Sequence, residues 1–212
     1  MLVKVKRRIR SLRNLVRDVR FGGRFLGGGE PTRFAHVHAK DVANSDYQAM
    51  AEVFGHVPIR DDSVIVDVGC GKGRVLNFLL GQGVECDIIG IEIDPDVARA
   101  TARRLRRYPN VRIVTGNIVD AWPGSGTVFY VYNPFGAPVV EQFCDRLAAH
   151  SRSFVVLYYN CIYRDVFERR GFQVEFYARE TVPAFRTRLH EIDMIHDFCV
   201  IRPPMPARPA AR

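Results

Sequence analysis

The chain has 212 residues, 47% apolar and 11% aromatic, which suits one domain with an extension and argues against global disorder. Its net charge of +8 sits in residues 1–33, where ten Lys/Arg face only Asp18 and Glu30 (10 − 2 = +8), so the rest of the chain is balanced. No apolar run reaches the roughly 18 residues of a membrane span, and the N-terminus lacks the apolar stretch of a secretory signal.

Residues 1–21, "MLVKVKRRIRSLRNLVRDVRF", carry Val5, Ile9, Leu12, Val16 and Val19 at steps of three and four among Arg and Lys. That spacing predicts an amphipathic helix with an apolar stripe and a basic face. Three uses compete for it: packing on the body with the charges solvated, binding an anionic membrane surface, or binding an acidic partner or nucleic acid through residues 1–20. No RNA-binding module accompanies it. Residues 22–33 are glycine-rich and read as a hinge, and 34–60 as a cap segment with a helix from about Ser45 to Phe54.

From Asp61 the pattern is regular. "SVIVDVG" (63–69), "CDIIGIEI" (86–93), "VRIVTGN" (111–117), "TVFYVYN" (127–133) and "SFVVLYYN" (153–160) read as strands. Helical segments lie between them. Asp94 is the expected N-cap of one, with Pro95 at its first position. "FQVEFYA" (172–178) and roughly 191–201 are the last two strands, 61–202 is the catalytic domain, and 203–212 is expected to be a disordered tail. Apolar strands alternating with helices imply an α/β fold with a mostly parallel sheet covered on both faces. In such a sheet ligands bind beyond the carboxyl ends of the strands, near the point where strand order reverses.

The tips there are chemically distinctive. "VDVGCGKGR" (66–74) puts glycines at 69, 71 and 73 where a strand turns into a helix, allowing close approach of backbone to an anionic or polar ligand. The dinucleotide fingerprint would need Gly or Ala where Arg74 stands, and no Walker-A loop is present. Glu92 ends the second strand, 21 residues after Gly71, where a carboxylate can accept from both hydroxyls of a ribose. Asn117 and Ile118 follow the third strand, and "VYNPFG" (131–136) follows the fourth.

The segments "VIVDVGCGKGRVL", "IGIEIDPDVARA", "VRIVTGNIVD" and "VFYVYNPFG" resemble the successive motifs of class I S-adenosylmethionine-dependent methyltransferases, over about residues 60–180. The pattern is also similar to small bacterial proteins of that class. The resemblance implies a three-layer Rossmann-like fold, a seven-stranded sheet with an antiparallel last strand, and S-adenosylmethionine as cofactor. It implies that Asp67, Gly69, Cys70, Gly71 and Gly73 surround the methionine part of the cofactor. Glu92 and Ile93 would meet the ribose, and Asn117 and Ile118 the adenine. The tip Tyr132, Asn133, Pro134 and Phe135 would meet the methyl acceptor, with Asn133 also near the cofactor. Amino-directed members carry [DNS]-P-P-[YFW] there, and "NPF" matches with one proline fewer.

The resemblance implies methyl transfer by direct displacement, to a nitrogen on a small molecule or protein side chain, with no metal. The acceptor itself is unknown. Other readings stand beside it. "NPF" is equally a plain turn, with Asn133 capping a helix near Pro138. Tyr158, Tyr159 and Asn160 on the fifth strand, with His36, His38, Asp46 and Tyr47 before the first, are further polar candidates, though core packing or surface exposure accounts for them as well. A cofactor-binding scaffold tethered by the basic helix is the non-enzymatic alternative, and NAD-dependent oxidoreduction is the lesser one. The five scattered cysteines (Cys70, Cys86, Cys144, Cys161, Cys199) read as free thiols of a cytoplasmic protein, one that could also lie peripherally on a membrane.

Overall fold

The computed structural model describes residues 2–27, 33–37, 39, 45–179, 186–187, 190–191 and 196–205. The expected hinge at 22–33, the cap histidine His38 and the tail at 203–212 therefore fall wholly or partly outside the described residues. Within them the chain runs α1 (Leu2–Gly22), a short 3₁₀ turn (Ala35–Val37), α2 (Tyr47–Phe54), β1 (Val64–Val68), α3 (Arg74–Gly81), β2 (Asp87–Glu92), α4 (Pro95–Leu105) and β3 (Val111–Thr115). It continues with β4 (Val128–Val131), α5 (Ala137–Ala148), β5 (Val155–Tyr159), α6 (Arg164–Arg169) and β6 (Gln173–Tyr177). The two-residue strands β7 (Arg186–Thr187) and β8 (His190–Glu191) precede β9 (Phe198–Arg202).

Seven strands form one sheet in the order β3-β2-β1-β4-β5-β9-β6. The first five are parallel, and β9 runs antiparallel between β5 and β6. The last strand begins at Phe198 rather than near residue 191, because His190–Glu191 pairs instead with Arg186–Thr187 in a separate small ladder. Strands β1 and β4 are buried along their whole length, as the parallel interior of a covered sheet requires. Helices α5 and α6 close one face with Phe143, Leu147 and Phe167, while α2, α3 and α4 close the other with Met50, Leu76 and Leu105. The expected α/β architecture of three layers is therefore present. Successive residues Tyr158 and Tyr159 join opposite cores, as alternation along a strand dictates.

Helix α1 is positioned by its polar side. Asp18 is fully buried and accepts from Arg74 (Nε to Oδ1 3.0 Å, Nη2 to Oδ2 2.8 Å), from the Tyr47 hydroxyl (2.9 Å) and from the Leu26 amide (3.1 Å). Asn14 donates to Asp46 at 2.8 Å, and Asp46 in turn caps α2. The end of α1 approaches α3 so closely that a Cβ on Gly22 would lie 2.3 Å from the Asn77 amide nitrogen. Consequently the apolar stripe faces outward, against the first of the three uses, packing on the body: Ile9, Leu12, Val16 and Val19 are 47–60% exposed. A buried carboxylate with four donors outweighs a few exposed aliphatic side chains, because leaving it unpaired would cost several kcal/mol.

Candidate functional site

Strand order reverses between β1 and β4, and Asp67 lies in that seam, in register with Gly90 of β2 and Tyr130 of β4. Beyond the strand tips a cavity of about 1040 Å³ opens. Asp67, Gly69 and Cys70 line it from β1 and its loop, Glu92, Ile93 and Asp94 from β2, and Asn117 with Ile118 from β3. Tyr132, Pro134 and Phe135 line it from β4.

The glycine loop is shaped by its neighbours. Gly69 has φ +76°, and a Cβ there would lie 2.5 Å from Pro134, so only glycine lets the β1 and β4 tips meet. Gly73 also sits in the left-handed region as N-cap of α3, with no room for a Cβ between Thr101 and Arg104. Gly71 and Gly73 thus serve the turn and its packing against α4. Thr101 closes that contact by donating its hydroxyl to the Gly71 carbonyl at 2.9 Å.

Two carboxyl groups meet in the cavity. Glu92 accepts the Gly71 amide at 2.8 Å and the Asp94 amide at 2.9 Å, one on each oxygen. Those bonds orient it while leaving lone pairs on both oxygens. Burial raises its pKa, against the pull of those amides. Asp67 is 3% exposed, and its Oδ2 has no hydrogen-bond partner. Burial, reinforced by the negative charge of Glu92, pushes its pKa up to about 8. A buried carboxyl oxygen without a donor, on a residue that lines the cavity, is an unsatisfied group suited to a cationic or hydroxyl-bearing ligand.

The remaining expected residues fall into place around this pair. Ile118 is 3% exposed, and the Asn117 side-chain Oδ1 accepts the Val119 amide at 3.1 Å, capping the turn after β3. Asn133 is buried, with φ +40°. Its amide, expected to meet an acceptor, bridges to β5 instead: Nδ2 donates to the Asn160 carbonyl and Oδ1 accepts the Tyr158 hydroxyl at 2.6 Å. Nor does it cap α5, whose N-cap is Gly136. Asn160 also has a positive φ, so paired asparagines tie the tips of adjacent strands in a conformation few other residues tolerate. The Phe135 backbone forms a bridge with Ala39, which brings the segment before β1 over the β4 tip. Of the further candidates, Tyr47 and Asp46 hold α1 and α2, and His36 is exposed.

Sequence reasoning did not single out Ser45, Tyr130 or Arg33 as cavity residues. The Ser45 and Tyr130 hydroxyls are 2.7 Å apart and buried. Arg33 grips Asp94 at 2.8 Å and Asp96 at 3.0 Å, beside Glu92. Tyr130 reads locally as core, and the other two come from chain distant in sequence, so no local signal marks them.

The residues that build the loop and the two acidic strand tips lie inside a match to a known family: residues 65–153 fit the family model described as "Methyltransferase domain". Residues 65–153 are thus methyltransferase-like in sequence. A tRNA (guanine-N(7)-)-methyltransferase of Geobacillus thermodenitrificans is 26% identical over 111 residues, half of each chain. Ribosomal RNA small subunit methyltransferase H of Coprothermobacter proteolyticus is 33% identical over 60 residues, 28% of this chain and 20% of that one. The chain thus spans half or less of these curated relatives. An RNA methyltransferase from Salinibacter ruber, solved in complex with S-adenosyl-L-homocysteine, shares the fold with a TM-score of 0.51 at 16% identity. That alignment covers 80% of this chain and 99% of the other.

The methyltransferase-like domain fits S-adenosylmethionine on its own observations. The partnerless Asp67 oxygen, the pre-oriented Glu92 carboxylate and the bare Gly69 backbone lining the cavity beside Pro134 are the polar and steric features such a cofactor needs. Cys70 is no competing nucleophile, because burial raises its thiol well above its ordinary value. It packs against β2 where a Cβ on Gly90 would lie 2.8 Å from its sulfur.

Proposed function

We propose that the protein transfers a methyl group from S-adenosylmethionine to a nitrogen of a small molecule or protein side chain, by direct displacement. The observation that carries this reading is the buried pair Asp67 and Glu92 at the tips of β1 and β2, facing one open cavity. In this reading Glu92 accepts ribose hydroxyls, Asp67 faces the methionine portion, and Asn117 with Ile118 borders the adenine, supported by their shared cavity. When bound, the cofactor supplies an electrophilic methyl on a sulfonium. The chain's task is then alignment, which can contribute several kcal/mol, up to ~7–11 in favourable cases.

The acceptor side of the cavity belongs to Tyr132, Pro134 and Phe135. Asn133 acts as a positioning residue, its amide fixed to β5 so that the turn offers the flat faces of Pro134 and Phe135. A neutral nitrogen acceptor suits this lining, because it attacks without first losing a proton and needs no strong base. Tyr130, a phenol on the cavity wall, has its pKa raised well above the ordinary value by burial, so it stays protonated. Hydride transfer with a nicotinamide cofactor has less support: the third dinucleotide position is Arg74, whose guanidinium is committed to Asp18. The test is purified protein with methyl-labelled cofactor and fractionated cell extract. Label entering one fraction supports the reading, and identifying the modified atom decides nitrogen against oxygen. Labelling of no fraction by a protein that binds the cofactor would favour the scaffold alternative.

A further inference from the structure

Helix α1 presents its apolar side to solvent. At 100° per residue, Ile9, Leu12, Val16 and Val19 fall in an arc of about 80°, and Asp18 and Asn14 lie about 140–180° from its centre. Those two polar residues anchor the helix to Arg74 and Asp46. The exposed arc is 47–60% accessible at each of its four aliphatic side chains. On the wheel Arg13 and Arg20 follow one edge of the arc, with Arg17 behind them, and all three are exposed. The helix holds eight Lys/Arg (Lys4, Lys6, Arg7, Arg8, Arg10, Arg13, Arg17, Arg20) against Asp18 alone. That single acid is buried and paired with Arg74, so the described outward charges of the helix, Arg13, Arg17 and Arg20, are all positive.

We infer that α1 docks the protein on an anionic lipid bilayer, lying in the interface with the Ile9–Val19 stripe in the acyl boundary and its arginines at the headgroups. An apolar arc edged by cations is what an interfacial helix requires. No described helix is long and apolar enough to cross a membrane, so the helix rests on the surface. A second copy of the chain is a poor occupant, because face-to-face α1 helices would oppose two strongly positive surfaces. Nucleic acid would match the charge but leave four aliphatic side chains in water. The helix ends at Gly22, and Gly22, Gly23, Arg24 and Leu26 line the cavity, so docking sets the mouth of the site near the lipid surface.

The test is flotation of the full chain with vesicles of equimolar phosphatidylcholine and phosphatidylglycerol, against vesicles of phosphatidylcholine alone. The chain is expected to float with the anionic vesicles only, and less as salt rises. Arg13→Gln with Arg20→Gln should weaken partitioning about fivefold per arginine. Leu12→Gln with Val16→Gln should weaken it at least about tenfold. Cofactor affinity by calorimetry should be unchanged in both variants, since neither pair touches the cavity, and that verifies folding. Equal binding to neutral vesicles, or full binding by the Leu12/Val16 variant, overturns the inference. So does a dimer in gel filtration that the Leu12/Val16 variant dissolves, or retention on RNA that the same variant leaves intact in place of vesicle binding.

Discussion

The carboxyl of Asp67 offers the sharpest test, and the perturbation is Asp67→Asn. The residue is 3% exposed, one of its oxygens has no donor, and its pKa is pushed from 3.8 to about 8 by burial and by Glu92. In the ligand-free fold it therefore keeps a proton that the unfolded chain releases near pH 3.8. Between about pH 4 and pH 8 the folded state binds the extra proton, so stability is greatest at the acid end of that window, falls as pH rises, and levels off above about 8. At 1.36 kcal/mol per pKa unit the ceiling is about 6 kcal/mol, and the open cavity, by admitting water, reduces the expected loss to about 3. For a chain of this size that is roughly 6–12 °C in Tm.

The assay is thermal unfolding of both proteins without ligand at steps from pH 5 to pH 9. The wild type should lose Tm toward pH 8 more steeply than Asp67→Asn, in which the raised pKa of Glu92 leaves a residual slope common to both proteins. His196, whose pKa burial lowers, slopes the other way but identically in both chains, so it cancels in the difference. Calorimetry supplies a second reading. A cationic ligand facing Asp67 draws off its proton, so binding at pH 7 should release about one proton in the wild type and none in the variant. Parallel Tm curves together with equal proton release would falsify the assignment of Asp67 as a protonated, cavity-facing acid.

Glu92→Ala should weaken cofactor binding about 10–100-fold, the loss of hydrogen bonds to a charged acceptor, read by calorimetry; unchanged affinity would remove Glu92 from the ribose. Asn133→Ala strips the Tyr158 hydroxyl and the Asn160 carbonyl of their buried partner, and should cost about 1–3 kcal/mol in denaturant unfolding. If Asn133 positions the β4 tip, turnover should fall while cofactor affinity holds; equal loss of both would reduce the tip to a structural turn. Asp18→Ala leaves Arg74 buried without its partner and should destabilise the protein by about 3–5 kcal/mol, with Arg74→Met on that background restoring part of it.

The strands and the glycine loop were legible because they obey local rules. Apolar runs such as "SVIVDVG" must be buried whatever their neighbours, and Gly69 follows directly from a strand that turns into a helix. Asp94 with Pro95 announced α4 by capping chemistry confined to a few residues, and the structure shows Asp94 accepting from Asp96 and Val97. Glu92 was legible for the same reason: a carboxylate closing a strand must stand at the sheet's edge.

Two features depended on partners distant in the chain. Periodicity showed that α1 is two-sided but could not say which side the body takes, because that choice belongs to Arg74, 56 residues from Asp18. The Asn133 amide could have faced a ligand or a strand, and Tyr158 with Asn160 on β5 decided for the strand. Amino-acid order by itself determined which segments had to be buried, where they turned and which tips carried acids, since those follow from side chains and their near neighbours. Only the tertiary structure decided where buried polar groups found partners, because such partners are matched in space, between segments that meet after the sheet has assembled.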